Sequence, residues 1–381
     1  MTTTKATAAR VSGLRPGRAT VYVALSRVAR TDASATLPAK LKRLLKRFDL
    51  ARLCRGAYVP IKMHLGGGVG YTTIHPVLVR TVVQAVKAAG GRPFVTDASF
   101  EAVRTAAERG YTPETLDCPI VAAGGPYDSH VVTRSVGYRN LDAIGVYGGI
   151  WEAPCLINLS HVKGHGDCGF GGACKNIAMG CVDGATRAKI HGLEGGIEWE
   201  QARCTFCGKC VQACDTGAIE IAKARKKLSI FFHHCRYCRH CIAACPRRAL
   251  TMRDAHGFRY FQEAMARTTK IVLDSFDPAR VLHINVLTNI SMFCDCWGMS
   301  TPSVVPDVGI MAAHDMVAVE TASLRAIRNR DLIPGSLIGG RRLVAGRHLL
   351  ERITGKDPWV QIRALERHGV GTSHYRQVEV R

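Results

Sequence analysis

Between residues 55 and 160 the apolar positions of the chain alternate between two rhythms. Short continuous apolar runs, "AYVPIKMHL", "RPFVTDAS", "CPIVAAGG" and "APCLINLSHV", predict buried strands. Between them, "HPVLVRTVVQAVKAAGG" and "FEAVRTAAERGY" space their apolar residues three and four apart, which predicts amphipathic helices, the first ending at glycine. This βαβα order predicts an α/β fold with a mainly parallel, doubly wound sheet covered by helices on both faces. Ligands on such sheets sit beyond the carboxyl ends of the strands. Residues 62–70, 96–101 and 161–175 all fall on that side and are expected to converge.

The rhythm breaks at about residue 199 and resumes after 255 with "FQEAMARTTKIVLDSF" as helix, "RVLHINVLTNIS" as strand and "DMVAVETASLRAIRNR" as helix. The expected organisation is therefore an interrupted host domain. Residues 1–198 form its first part with a basic N-terminal segment, 199–255 an insertion, 256–330 its second part, and 331–381 a partly helical basic tail.

The interruption holds two C-x2-C-x2-C-x3-C runs, Cys204, Cys207, Cys210 and Cys214, then Cys235, Cys238, Cys241 and Cys245 followed by Pro246. This is the ligand spacing of bacterial-type two-cluster ferredoxins, in which the fourth cysteine of each run serves the other cluster. Carried over, one [4Fe-4S] cluster takes Cys204, Cys207, Cys210 and Cys245, and the second takes Cys235, Cys238, Cys241 and Cys214. A pair of zinc knuckles is the plainer alternative. Asp215 stands where the first run would usually carry proline, a change expected to alter the backbone more than the ligation.

Sixteen cysteines, eight of them at this spacing, argue for a reducing compartment. With no apolar run approaching the roughly 20 residues of a membrane span, a cytoplasmic location is expected. The net charge of +22 is uneven: residues 1–55 carry thirteen Lys/Arg against two Asp, and 200–255 eleven against four acids. Such a surface suits an acidic redox protein partner or a small anionic ligand. Nucleic acid is disfavoured, because no recognition-motif spacing occurs and aromatic residues make up 7%.

Outside the two runs, "HVKGHGDCGFGGACKNIAMGC" (161–181) places His161, Lys163 and His165 at alternate positions of a strand end and Lys175 at the start of a helix. Imidazoles and ammonium groups on one side can bind a carboxylate or phosphate, move protons or, for the histidines, ligate a metal. The bland reading is polar residues in a surface loop. The pair Cys294 and Cys296 in "CDCWG" could present two thiols to one ligand or metal, or be small buried hydrophobes. His64 in "KMHLGGGVG" could join them, its glycines freeing backbone N–H groups for an anion. Asp97, Asp307 and Asp315 are candidate acids near the same rim, though each taken alone reads first as a helix cap or turn residue.

Together the stretches "VYVALSRV", "LPAKLKRLL", "VPIKMHLG", "GGRPFVTDAS", "INLSHVKGHGDCGFGGACKNIAMGC", "CDCWGMSTPSVVPDVGIMAAHDMVAVETAS" and both cysteine runs resemble the iron–sulfur-binding proteins of the domain-of-unknown-function 362 family, over roughly residues 20 to 330. The resemblance implies a ferredoxin segment interrupting an α/β domain and two [4Fe-4S] clusters, with no settled reaction. Where this chain has Cys168 and Cys174, family members carry alanine and leucine, so these two cysteines are open between a specialisation and small-residue swaps, and Cys181 has no assigned role. "GFGGACKN" also resembles the glycine–lysine loop of lactate-racemase-like proteins, which implies a ligand-facing Lys175.

The expectation from sequence is thus an iron–sulfur redox protein relaying single electrons to a site lined by His161, Lys163, His165, Lys175, Cys294 and Cys296, a reductase of an anionic substrate. The alternative is a non-catalytic electron carrier or accessory subunit docking on an acidic enzyme. Whether a flavin or a further metal is present is left open by the sequence.

Overall fold

The computed structural model describes residues 18–381 except 69, 255, 299, 300, 339 and 340; the basic stretch 1–17 lies outside the described residues. An eight-stranded sheet organises the chain: β1 (Ala19–Leu25), β2 (Tyr58–Lys62), β3 (Arg92–Asp97), β4 (Ile120–Ala122), β5 (Leu156–His161), β6 (Val281–Leu287), β7 (Gly309–Ala313) and β8 (Tyr375–Glu379). In space the order is β8-β1-β7-β6-β5-β2-β3-β4. Every neighbouring pair is parallel except those made by β7, which runs antiparallel to both β1 and β6.

Two apolar cores sandwich the sheet, as its near-continuous strands require. On one face Val59, Ile61, Ile157, Leu159, Leu282, Ile284 and Val286 meet helices Leu37–Leu45 and Pro76–Ala88. On the other lie Ala173–Ala178, Gly257–Leu273, Met316–Ala326 and Trp359–Arg367. Because strand side chains alternate between faces, the polar residues interleaved with this apolar set all point to the second face. Register lines up Thr96, Lys62, Asn158 and His283 in one row across four strands. That row is the floor beneath the site.

The last fifty residues differ from the expected basic tail. They supply strand β8, hydrogen-bonded to β1, and the helix Trp359–Arg367, whose Ile362, Ala364 and Leu365 are buried in the second core. The reason is pairing: β1 would otherwise be an open edge. An unforeseen antiparallel hairpin, Val131–Tyr138 with Leu141–Tyr147, leans on the same face. Residues 196–254 form a separate lobe with its own small core of Ile197, Ala218, Ile219, Leu228 and Leu250. Its strands Gly196–Trp199 and Leu250–Asp254 pair antiparallel, as do Ile219–Ala222 and Lys227–Ile230. Among the described residues no helix is long and apolar enough to cross a membrane.

Candidate functional site

Beyond the carboxyl ends of β2, β3 and β5 lies a cavity of about 320 Å3, where sheets of this kind hold ligands. His161, Lys163, His165, Lys175, Cys294 and Cys296 all line it, together with His64 and Asp97. The surface-loop alternative for the first three is overturned, since each is buried. His161 ends β5, whereas Lys163 and His165 stand on a short hairpin, Lys163–His165 paired with Gly169–Gly171, which precedes the helix of Lys175. The segment is thus strand, hairpin and helix, so the three alternating residues do not share one strand.

Asp295 anchors the hairpin side. Its Oδ2 accepts from His161 Nδ1 at 2.7 Å and faces Lys163 Nζ at 3.1 Å, and its Oδ1 accepts from Thr72 Oγ1 at 3.2 Å. Burial works against the ionised carboxyl, but His161 and Lys163 hold it well below the usual range. His161 also donates from Nε2 to the Thr288 carbonyl at 2.8 Å, so both its ring nitrogens are spent on the protein. Lys163 likewise donates to the His161 carbonyl. These two position the site more than they bind.

A second buried pair stands on the floor. Lys62 Nζ lies 3.0 Å from Asp97 Oδ1 and donates to Asn176 Oδ1 at 2.7 Å, while His64 Nδ1 is 3.0 Å from Asp97 Oδ2. Burial opposes the Asp97 anion, and Lys62 and His64 outweigh it, pulling its carboxyl far down. Gly180 makes room for Lys62: a Cβ there would sit 2.3 Å from Nζ. Asn176 ties the helix to the sheet by donating to Asn158 Oδ1 at 2.7 Å. By contrast, Lys175 makes no hydrogen bond or ion pair among the described residues, and burial lowers its pKa. It is the cation left for a ligand, with Arg187 and His191 on the same wall.

Cys294 and Cys296 are joined as a disulfide, their Cα atoms 5.5 Å apart. A His165 ring nitrogen lies within 4.8 Å of both sulfurs, a spacing that also suits a metal ion. His165 accepts from the Asp167 N–H through Nδ1, and burial and Lys175 push its pKa well down.

In the lobe, the two cysteine runs repeat at 31-residue spacing down to their backbone. Positive φ occurs at Phe206 and Tyr237, Gly208 and Arg239, Gly217 and Arg248. Ala218 N–H donates to Cys214 Sγ and Ala249 N–H to Cys245 Sγ, each at 3.3 Å. The eight thiols surround two separate hollows. Cys204, Cys207, Cys210 and Cys245 line the first, and Cys214, Cys235, Cys238 and Cys241 the second. Asp215, at the proline position, faces Arg236 at 3.7 Å.

Other candidates are placed elsewhere. Asp315 caps Met316–Ala326, accepting from Ala318 N–H at 2.8 Å, and Asp307 accepts from Asn289 N–H at 2.7 Å; neither lines the cavity. The glycine loop offers no anion cradle at Gly67, whose N–H donates to the Asp295 carbonyl. Cys168, Cys174 and Cys181 are fully buried in the second core, with pKa values pushed up by burial, that of Cys181 to about 12. They are packed among the apolar side chains of that core. Sequence reasoning missed Lys62, Asp167, Asn176 and His233; a lysine inside an apolar strand run was the one signal that could have exposed Lys62.

Fold and cavity define an α/β protein with a cation-rich pocket at the carboxyl ends of its parallel strands and a cysteine-rich lobe beside it. The chain belongs to the family described as domain of unknown function DUF362, which matches residues 59–325. Over 126 residues it is 36% identical to the "Thylakoid-associated protein sll1697" of Synechocystis sp., a match spanning 32% of this chain and 36% of that relative. A solved structure, the lactate racemase apoprotein from Thermoanaerobacterium thermosaccharolyticum, is similar at 13% identity with a TM-score of 0.32, over 71% of this chain and 51% of that one.

Proposed function

We propose that the protein is an iron–sulfur redox protein that carries single electrons through two [4Fe-4S] clusters to the cavity of the α/β domain, where an anionic substrate is reduced. The observation that carries this reading is the division of the eight cysteines into two quartets, each with three thiols of one run and the fourth of the other. Thiolates suit the soft iron of a cubane, and the N–H groups donating to Cys214 and Cys245 favour the anionic sulfur. When bound, such clusters supply one-electron transfer and no bond chemistry of their own.

The chain's own residues do the rest. Arg236, Arg341 and Lys356 are buried beside the second quartet, Lys356 donating to the Cys235 carbonyl. Their charge favours the reduced state of a cluster held there. Exposed Lys209, Lys227 and Arg247 flank the first quartet and suit an acidic electron-donor protein. In the cavity Lys175 and Arg187 attract the anion, while the Lys62–Asp97 and His161–Asp295–Lys163 pairings hold the walls rigid.

Anaerobic purification tests the reading. About eight irons and eight sulfides per chain are expected, with Cys204→Ala and Cys235→Ala each losing about half and low-temperature electron paramagnetic resonance showing a reduced-cluster signal. Zinc in place of iron would refute it. Mass spectrometry of small molecules retained by the same preparation identifies the cavity's ligand; loaded clusters with an empty cavity would instead fit the accessory-carrier alternative.

A further inference from the structure

We propose that Cys294 and Cys296 are a redox pair, cycling between disulfide and dithiol on the cavity wall and linked to the second cysteine quartet through His233. The inference rests on the two-cluster reading and extends it, by naming what receives the electrons.

Three observations converge on the pair. First, both cysteines border the cavity, their sulfurs joined, whereas Cys54, Cys118, Cys155, Cys168, Cys174 and Cys181 are buried in the two apolar cores. Second, the lobe reaches the pair directly. His233, two residues before Cys235, places Nε2 3.8 Å from Cys294 Sγ and holds Nδ1 3.3 Å from Asp167 Oδ2. Third, the fit at this junction is close: a Cβ at Gly166 would lie 2.1 Å from the His233 carbonyl, and the His233 ring sits 5.1 Å from that of Phe293. A short covalent path from Cys235 and one gap of van der Waals width therefore connect the second quartet to Cys294. Aromatic side chains line that path.

The chemistry supplies a reason for such a pair. A donor that gives electrons singly is poorly matched to a closed-shell substrate that needs two. In the reductive half, the S–S bond takes up two electrons and two protons and becomes two S–H groups; the electrons come from two equivalents of a low-potential one-electron donor, each oxidised once, and the protons from water entering the cavity. In the oxidative half, the dithiol passes two electrons and two protons to the bound acceptor and the S–S bond re-forms. The substrate class is accordingly a small anion undergoing two-electron reduction, held by Lys175.

Dithionite titration of the anaerobically purified holoprotein, with iodoacetamide trapping and peptide mass spectrometry at each point, is the test. Expected is a peptide with Cys294 and Cys296 unlabelled at the start and doubly labelled after two electrons beyond those taken by iron. Cys296→Ser should lose this two-electron step while iron content and the paramagnetic signal stay unchanged. In His233→Leu the iron should be reduced while the pair opens more slowly than in the wild type; equal rates would overturn the link. Labelling that ignores the redox state would overturn the pair, as would one equivalent of a non-iron metal shielding both thiols. A two-electron thiol step in protein without iron would sustain the pair and sink the two-cluster reading instead.

Discussion

Glu320 offers a measurement of how the fold strains its own interior. It lies fully buried on the helix Met316–Ala326 and accepts from the Ala173 N–H and from Asn285 Nδ2, holding the start of the helix that carries Lys175 and Asn176. Its other oxygen, Oε2, has no hydrogen-bond partner among the described residues. Burial raises its pKa from 4.5 to about 7, against the opposing pull of those donors and of Lys163. A carboxyl whose pKa is raised on folding contributes its full stability below the unfolded value, and that contribution is lost as pH rises through the folded value. At about 1.4 kcal/mol per pH unit, the loss between pH 4.5 and 7 is about 3 kcal/mol. Glu320→Gln keeps an acceptor for Ala173 and never ionises. Urea unfolding of both proteins between pH 5 and 8 reads the difference, because their other titrating groups cancel. The variant's advantage over the wild type should be smallest near pH 5 and grow by about 2–3 kcal/mol by pH 8. A difference independent of pH, or a variant less stable at pH 8, would refute the reasoning.

Three further outcomes are expected. Asp97→Asn leaves the Lys62 ammonium buried without its counter-ion and should destabilise the protein by about 3–5 kcal/mol in denaturant unfolding, with Lys62→Met in the same chain restoring part of the loss. Cys168→Ala and Cys174→Ala should leave iron content untouched, and in the native wild type neither thiol should react with iodoacetamide, since burial raises both pKa values; native labelling at either would contradict their place in the core. Arg239→Gly should raise the thermal midpoint by an amount equivalent to about 1 kcal/mol, because Arg239 has φ +66° where its repeat counterpart is Gly208 at φ +79°; an unchanged or lower midpoint would count against strain at this turn.

The sequence by itself determined the strands β2, β3, β5 and β6 and the helices Pro76–Ala88, Gly257–Leu273 and Met316–Ala326, because each carries its own period of burial. It also singled out the eight cysteines of the lobe and six side chains that the cavity then gathers, since their spacing is a local property of the chain. Tertiary structure alone decided what those residues do to one another. That Asp295 absorbs His161 and Lys163 while Lys175 stays free depends on contacts spanning more than a hundred positions, which no local period encodes. The same holds for strand β8, a short and largely exposed segment with a weak pattern that becomes a strand by pairing with the edge of β1, and for Cys168 and Cys174, which look like ligands beside two histidines until packing turns them into the apolar core. Most of all it holds for His233 and Cys294, sixty-one residues apart and brought to 3.8 Å where the lobe folds back on the sheet.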